Sequence, residues 1–232
     1  MKKRIVLSVL ISLTFLLLNN INAQGFSYQF YAGGNMNYQS VKYNFGVRGI
    51  DTSYLTDPKY SINFGTAVEF DFPKLLGVKL EVQYSKKSGK IVTNRVGTVP
   101  GLTAVQRTYS SSIDYIQLAL LPQLNLSVIT KSKIYFTAGP YYSFSLAANE
   151  SILEQSLLQE RSYSKDISGS TQSYDAGLIF GLGFEFTEAP NVGFTTGIRY
   201  VMGLQNIINT PDKDKISMKN NSLNLNFGII LK

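Results

Sequence analysis

Charged residues on either side of one short turn are the groups of this 232-residue chain best suited to chemistry. Glu69 and Asp71 precede the turn, and Lys79 and Glu81 follow it. If the chain reverses near Leu75, Asp71 faces Lys79 and Glu69 faces Glu81. Two facing carboxylates could act as a general acid/base pair. Alternatively, basic residues neutralise them in a polar plug.

The polar plug is the favoured interpretation, because facing like charges are unfavourable unless a cation or a proton compensates them. Nothing nearby in the sequence supplies a nucleophile. In this interpretation Lys79, together with Arg199, neutralises the carboxylates of Glu69, Glu81 and Glu185. We therefore predict a structural polar network with these members: Glu69, Asp71, Lys79, Glu81, Glu185 and Arg199.

The composition excludes several kinds of catalytic and metal site. The chain has no Cys and no His, so disulfides, thiolate or imidazole metal sites, Cys nucleophiles and Ser–His–Asp arrangements are absent. Gly177, Gly181 and Gly183 are not followed by the Gly-Lys-Ser/Thr of a phosphate-binding loop, and we interpret them as small strand residues. The sequence predicts no catalytic residue, no metal and no cofactor.

The basic residues exceed the acidic ones, at 22 Lys and Arg against 15 Asp and Glu. They form no dense patch with interleaved aromatics, so we do not expect a nucleic-acid partner. Lys90, Arg95 and Arg107 lie in one segment without an acid. That segment could contact lipopolysaccharide phosphates or an acidic partner, or it could carry ordinary solvated charge.

The N-terminus has the pattern of a secretory signal. Lys2, Lys3 and Arg4 precede the apolar run 5–18, and Ala23 stands at a suitable cleavage position. A transmembrane anchor is the alternative, but the apolar run is shorter than the ~20 residues that span a bilayer. We predict a signal peptide over residues 1–23 and one domain over residues 24–232.

Two-residue alternation of apolar and polar side chains recurs along residues 24–232, which is typical of strands with two unlike faces. The segment 60–72 is the clearest case, with Ile62, Phe64, Val68 and Phe70 on one face. The predicted strands are 26–38, 60–72, 78–87, 113–126, 133–146, 173–186, 192–204 and 221–231. A short helix over 149–161 is a further expectation.

The connections between these strands alternate between long and short. The short ones are 73–77, 127–132 and 187–191, and the long ones are 39–59, 88–112, 147–172 and 205–220. Bacterial outer-membrane barrels have short periplasmic turns and long extracellular loops. The sequence therefore predicts an all-β fold, an eight-stranded antiparallel up-and-down transmembrane β-barrel in the outer membrane.

The composition of the two faces predicts which one meets lipid. Gly, Ser, Asn and charged residues crowd one face, as suits the narrow interior of an eight-stranded barrel. The other face is large and apolar, with candidate aromatic rims at Tyr38, Tyr60, Tyr84, Phe144 and Tyr174 and at Phe26, Phe72, Phe186 and Phe194. The alternative is a soluble, lipocalin-like ligand-binding barrel with the apolar face inside.

Several segments resemble the PorT-like outer-membrane β-barrel proteins of Bacteroidetes-type bacteria. They are the segments 114–122, 138–141, 174–183 and 200–207, together with the Asn-Ala-Gln motif at 22–24. The resemblance implies an integral outer-membrane protein, and some members of that family take part in protein secretion. Such barrels often end on an aromatic residue that the insertion machinery reads, whereas this chain ends Ile230-Leu231-Lys232.

The expected function is that of a non-enzymatic barrel with an interaction, assembly or structural role through its extracellular loops, with protein secretion as a candidate process. A small passive pore is the alternative within the membrane. The expected partners are outer-membrane lipid, the barrel-insertion machinery during biogenesis, and envelope or secretion proteins.

Overall fold

The computed structural model describes residues 25–44, 51–72, 75–95, 105–129, 131–155, 160–189, 191–210 and 216–232. The predicted signal peptide, residues 1–23, lies outside these ranges and stays a prediction. No helix within these ranges is long and apolar enough to cross a membrane.

The described residues form ten strands. Two of them are short, β2 (Asp51–Leu55) and β7 (Glu160–Asp166). The other eight form the wall of the barrel: β1 (Phe26–Asn44), β3 (Lys59–Asp71), β4 (Leu76–Arg95), β5 (Val105–Ile129), β6 (Ser132–Gln155), β8 (Tyr174–Ala189), β9 (Val192–Gly203) and β10 (Ile216–Leu231).

The sheet closes into a ring because β1 pairs with β3 along one edge and with β10 along the other. The eight long strands are otherwise hydrogen-bonded to their sequence neighbours in antiparallel order. The short strands lie off this ring, since β2 pairs with β1 and β7 pairs with β6. This arrangement confirms the predicted eight-stranded up-and-down barrel.

The strands are longer than the sequence predicted, on the side of the long loops. β4 continues to Arg95, β5 begins at Val105, and β6 continues to Gln155. The predicted helix over 149–161 is wrong, because Asn149 to Gln155 pair with β5 and Glu160 to Asp166 form β7. These extensions are polar on most positions, so hydrophobic alternation does not reveal them.

The large apolar side chains point outward from the barrel. Phe64 is 53% exposed and Phe227 is 60% exposed, whereas the intervening polar residues Asn63, Asn224 and Asn226 are buried. A barrel surface of this kind is matched to hydrocarbon, since every wall strand pairs with a neighbouring strand on each side. The orientation is the reverse of the lipocalin-like alternative, which needs an apolar interior.

Aromatic contacts lie toward both ends of the apolar band. Tyr84 and Tyr174 lie toward the long loops. They stack on Phe64 and Tyr142, each of which has further outward apolar residues beyond it on its own strand. Phe26 meets Phe70 edge to face near the short turns. The positions agree with two aromatic rims at the two lipid–water interfaces.

Candidate functional site

The end of the lumen nearest the short turns is organised around Lys133. Its Nζ lies 2.7 Å from Glu69 Oε1, 3.0 Å from Glu185 Oε2 and 3.4 Å from Asp71 Oδ2. Lys232 reaches the other oxygen of Glu185 at 3.1 Å. The carboxylates of this basal layer therefore converge on two lysines that the sequence analysis did not include in the network.

Glu69 is fully buried in the basal layer, and its carboxylate is surrounded by donors. Gln29 Nε2 and Gln123 Nε2 each donate to it at 2.6 Å. Lys79 Nζ lies 3.5 Å from Glu69 Oε2, donates to Gln29 Oε1 at 2.9 Å, and stands 4.6 Å from the centroid of the Tyr135 ring. A buried carboxylate needs this density of partners, because desolvation of an unpaired charge is very unfavourable.

The register of the first hairpin differs from the predicted one by two residues. Glu69 pairs with Lys79, whereas Glu81 pairs with Ala67 and Asp71 pairs with Gly77. The predicted facing of Glu69 and Glu81 is therefore wrong, and so is that of Asp71 and Lys79. The turn is centred one residue earlier than Leu75, and Phe72 donates its backbone N–H to the Leu76 carbonyl across it. The general acid/base interpretation loses its basis.

The middle of the lumen contains one ion pair of the predicted network. Arg199 Nη1 donates to both carboxylate oxygens of Glu81 at 2.7 Å, and both side chains are almost completely buried. The guanidinium carbon lies 5.1 Å from the centroid of the Tyr31 ring. Among the described carboxylates, Arg199 thus pairs with Glu81 alone. Glu185 is bound by Lys133 and Lys232 instead of Lys79 or Arg199.

Tyrosine rings fill the space that the lumen glycines leave. In three places a tyrosine of one strand stands directly opposite a glycine of the neighbouring strand. The pairs are Tyr31 with Gly65, Tyr135 with Gly183, and Tyr141 with Gly177. In each pair, a methyl group added to the glycine would overlap the tyrosine. Small residues facing large ones are expected in a narrow barrel. These contacts account for Gly65, Gly177 and Gly183 without a nucleotide.

The upper part of the lumen holds an ion pair that the sequence analysis missed. Lys87 Nζ lies 2.9 Å from Asp175 Oδ2, and its ammonium stands 4.2 Å and 5.3 Å from the ring centroids of Tyr141 and Tyr115. Asn220 also donates to Asp175, at 3.2 Å. The alternation of inward Lys79, Glu81, Gln83 and Ser85 continues to Lys87, so that pattern could have identified it.

An apolar cluster lies above this ion pair, toward the long loops. It consists of the buried residues Ile113, Tyr115, Ala148 and Ile207, and Ile167 and Met218 pack against it. Tyr115 belongs to both layers, since its hydroxyl accepts a hydrogen bond from Asn220 at 3.3 Å. The ion pairs of the lumen therefore lie below this apolar cluster.

The described residues hold no group of three or more carboxylates suited to a metal ion. In the predicted basic segment, Arg107 Nε lies 2.7 Å from Glu154 Oε1 on β6. That carboxylate raises the pKa of the partly buried Arg107 guanidinium further above its ordinary value. The basic segment therefore has an acidic neighbour in the folded protein, because β6 places Glu154 beside Arg107.

The composition of this site and of the lipid-facing surface agrees with the comparisons with known proteins. Residues 22–209 match the family described as "Outer membrane protein beta-barrel domain". The chain belongs to this family. Its location is accordingly the bacterial outer membrane, as the sequence predicted. No curated protein sequence matched the chain.

Several solved structures are similar to this chain at low sequence identity. OprG from Pseudomonas aeruginosa is 15% identical, with 89% of this chain and 95% of that chain covered and a TM-score of 0.47. Neisserial surface protein A is 13% identical, with 90% and 97% covered and a TM-score of 0.39. Ail of Yersinia pestis is 16% identical, with 89% and 99% covered and a TM-score of 0.32.

Proposed function

We propose that this outer-membrane barrel is a non-enzymatic interaction protein that binds a protein partner through the extracellular sheet. By the extracellular sheet we mean β7 together with the ends of β4, β5 and β6 beyond the apolar band. The observation that carries the proposal is the length of those strands. From Val105 to Asp114, β5 continues about 30 Å beyond its outermost lipid-facing apolar residue, Ile116.

The edge of the extracellular sheet supports a partner that contributes a strand. β7 pairs with β6 on one side, and every residue of β7 has an exposed side chain. An edge strand presents backbone N–H and C=O groups that an extended segment of another protein can pair with. Tyr163, 49% exposed at the centre of β7, offers an aromatic contact there.

A photo-crosslinking amino acid at position 163 tests this proposal in intact cells. We expect a covalent adduct with a protein, because the side chain at this edge would lie within the contact. Tyr142, 41% exposed on the lipid-facing surface, is the matched control, and the same crosslinker there should yield no protein adduct. Absence of an adduct at position 163 would contradict the proposal. Secretion components in the adduct would support a secretion role, and other envelope proteins would argue against it.

The passive-pore alternative is disfavoured by the filled lumen. Eight strands leave an interior just wide enough for side chains, whereas porins with an aqueous channel have 16–18. Arg199, Tyr31, Lys87 and Tyr141 stand across it with almost no exposed surface.

Planar-bilayer recording of the purified, refolded protein should therefore show no steady single-channel current. The buried ion pairs would have to separate for ions to pass, which is unfavourable in a low-dielectric interior. A sample that shifts on a denaturing gel between unboiled and boiled states serves as the control for folding. Steady and reproducible current steps from such a sample would favour the pore.

The proposal also covers how the chain reaches the membrane and which group of outer-membrane barrels it resembles. Residues 1–23 would act as a cleaved signal peptide, and the barrel-insertion machinery would bind the chain during assembly. Affiliation with the PorT-like group rests on the segments 114–122, 138–141, 174–183 and 200–207, which resemble it. Outer-membrane lipid is the expected contact of the apolar band.

A further inference from the structure

A groove interrupts the lipid-facing surface where β10, β1 and β3 meet. Its volume is about 430 Å³, against ~30 Å³ for one water molecule. The outward residues that line it are almost entirely apolar, and they come from four strands: Gly34, Met36, Tyr60, Ile198, Leu223 and Leu225. A groove of this composition in the membrane is suited to a hydrocarbon chain.

Gly34 creates the groove, and nothing in the described part of the structure requires glycine at that position. A methyl group added to Gly34 would meet no atom within 4 Å, whereas one on the neighbouring Gly33 would overlap Asn226. Gly34 also lacks the positive φ that favours glycine, which among the described glycines only Gly25 has. Glycine inside a strand weakens the strand and often marks a bulge, a bend, or a site that a ligand or another backbone approaches closely. Among the described residues, no other backbone comes within 4 Å of where a Cβ on Gly34 would stand.

Two lysines stand on the same outward face, above the extracellular end of the groove. Going up the β1–β10 seam, Met36 pairs with Leu223, then come Tyr38 with Asn221, Ser40 with Lys219, and Lys42 with Ser217. Lys42 is exposed and Lys219 is partly exposed. Neither forms an ion pair with any residue in the described ranges. Residues at diagonal positions of an antiparallel pair are ~7–8 Å apart, so both ammonium groups can reach one anion.

We infer that this seam binds a phosphorylated glycolipid of the outer leaflet, with an acyl chain in the groove and a phosphate on Lys42 and Lys219. The apolar groove comes first along the seam, and the lysines lie just beyond it, past Tyr38. A lipid has the same order, with its acyl chains in the membrane and its headgroup at the surface. The long-loop end of the barrel is extracellular, so the lipid belongs to the outer leaflet. Lysines at a membrane surface attract anionic headgroups.

Native mass spectrometry of the folded protein in detergent, titrated with purified bisphosphorylated lipid A, tests the inference. We expect one lipid to be retained by the unaltered protein, and dephosphorylated lipid A to bind at least tenfold more weakly. Gly34→Leu fills the groove, and the double variant Lys42→Gln/Lys219→Gln removes the phosphate contacts, so each should weaken retention at least tenfold. Lys86→Gln, a rim lysine paired with Asp114 on another part of the wall, is the matched control and should bind as the unaltered protein does.

Three results would overturn the inference: unchanged retention in the lysine double variant, equal retention of the dephosphorylated lipid, or an equal loss in Lys86→Gln. The lysine variant lies above the apolar band, so it remains informative if Gly34→Leu does not fold. Heat-dependent gel migration establishes folding of each variant before the titration.

Discussion

Arg199→Met is expected to lower the free energy of unfolding by about 3–5 kcal/mol, because it leaves the Glu81 carboxylate buried without its cation. Glu81 is 3% exposed, and Arg199 is the only charged group within the described residues that pairs with it. Water cannot replace the guanidinium easily, since the Tyr31 ring covers it. A urea titration of the protein refolded into lipid vesicles measures the change. The chain has no Trp, so circular dichroism or the gel shift reports unfolding.

The double variant Arg199→Met/Glu81→Gln separates the burial of an unpaired charge from the loss of packing. Replacing both members of a buried ion pair by neutral residues of similar volume is often close to neutral. We therefore expect the double variant to recover most of the stability that the single variant loses. A single variant that stays within about 1 kcal/mol of the unaltered protein would show that the Glu81–Arg199 contact is not buried as described.

The sequence predicted the eight strands and their faces because both follow from a two-residue period. Any pairing that keeps one face in lipid places Ile62, Phe64 and Phe70 on one side of β3. It places Asn63 and Glu69 on the other side. The alternation of long and short connections then indicated that the strands run up and down in sequence order. These features depend on one strand at a time, which is why a single sequence contains them.

The partners within the lumen depend on how two strands are aligned, and alternation does not fix that. A one-residue slip would turn every side chain to the wrong face, but a two-residue slip leaves the faces unchanged. Glu69 could therefore be placed opposite Glu81 without any conflict in the pattern, although the structure pairs it with Lys79. Only the geometry of the turn decides between these registers.

Lys133 and Lys87 were missed for a related reason. Each lies at an end of a predicted strand, where a basic residue is usually assigned to the interface with water. The structure turns Lys133 inward to three carboxylates and extends β4 past Lys87, so that both lysines enter the lumen. The ends of strands are set by pairing with neighbours, which the sequence of one strand does not show.

Arginine in the middle of the lipid-facing band should destabilise the protein by about 2–4 kcal/mol at each site. Val82, Phe64 and Leu225 are suitable sites, because each has further outward apolar residues on both sides of it along its own strand. The cost arises from moving the guanidinium from water into hydrocarbon, where the band offers it no acceptor. Urea titrations in vesicles of one lipid composition compare the three variants with the unaltered protein.

Tyr60→Arg is the control for depth in the membrane. Tyr60 is also outward-facing, 76% exposed, but it lies next to the start of β3, at the extracellular rim. An arginine there can reach the headgroups, so its cost should fall to about 0–1 kcal/mol. Equal costs at Tyr60 and at Leu225 would mean that the change reflects lost packing. Full tolerance at Val82, Phe64 and Leu225 would mean that this face of the barrel does not meet hydrocarbon, and the assignment of lumen and lipid sides would then be wrong.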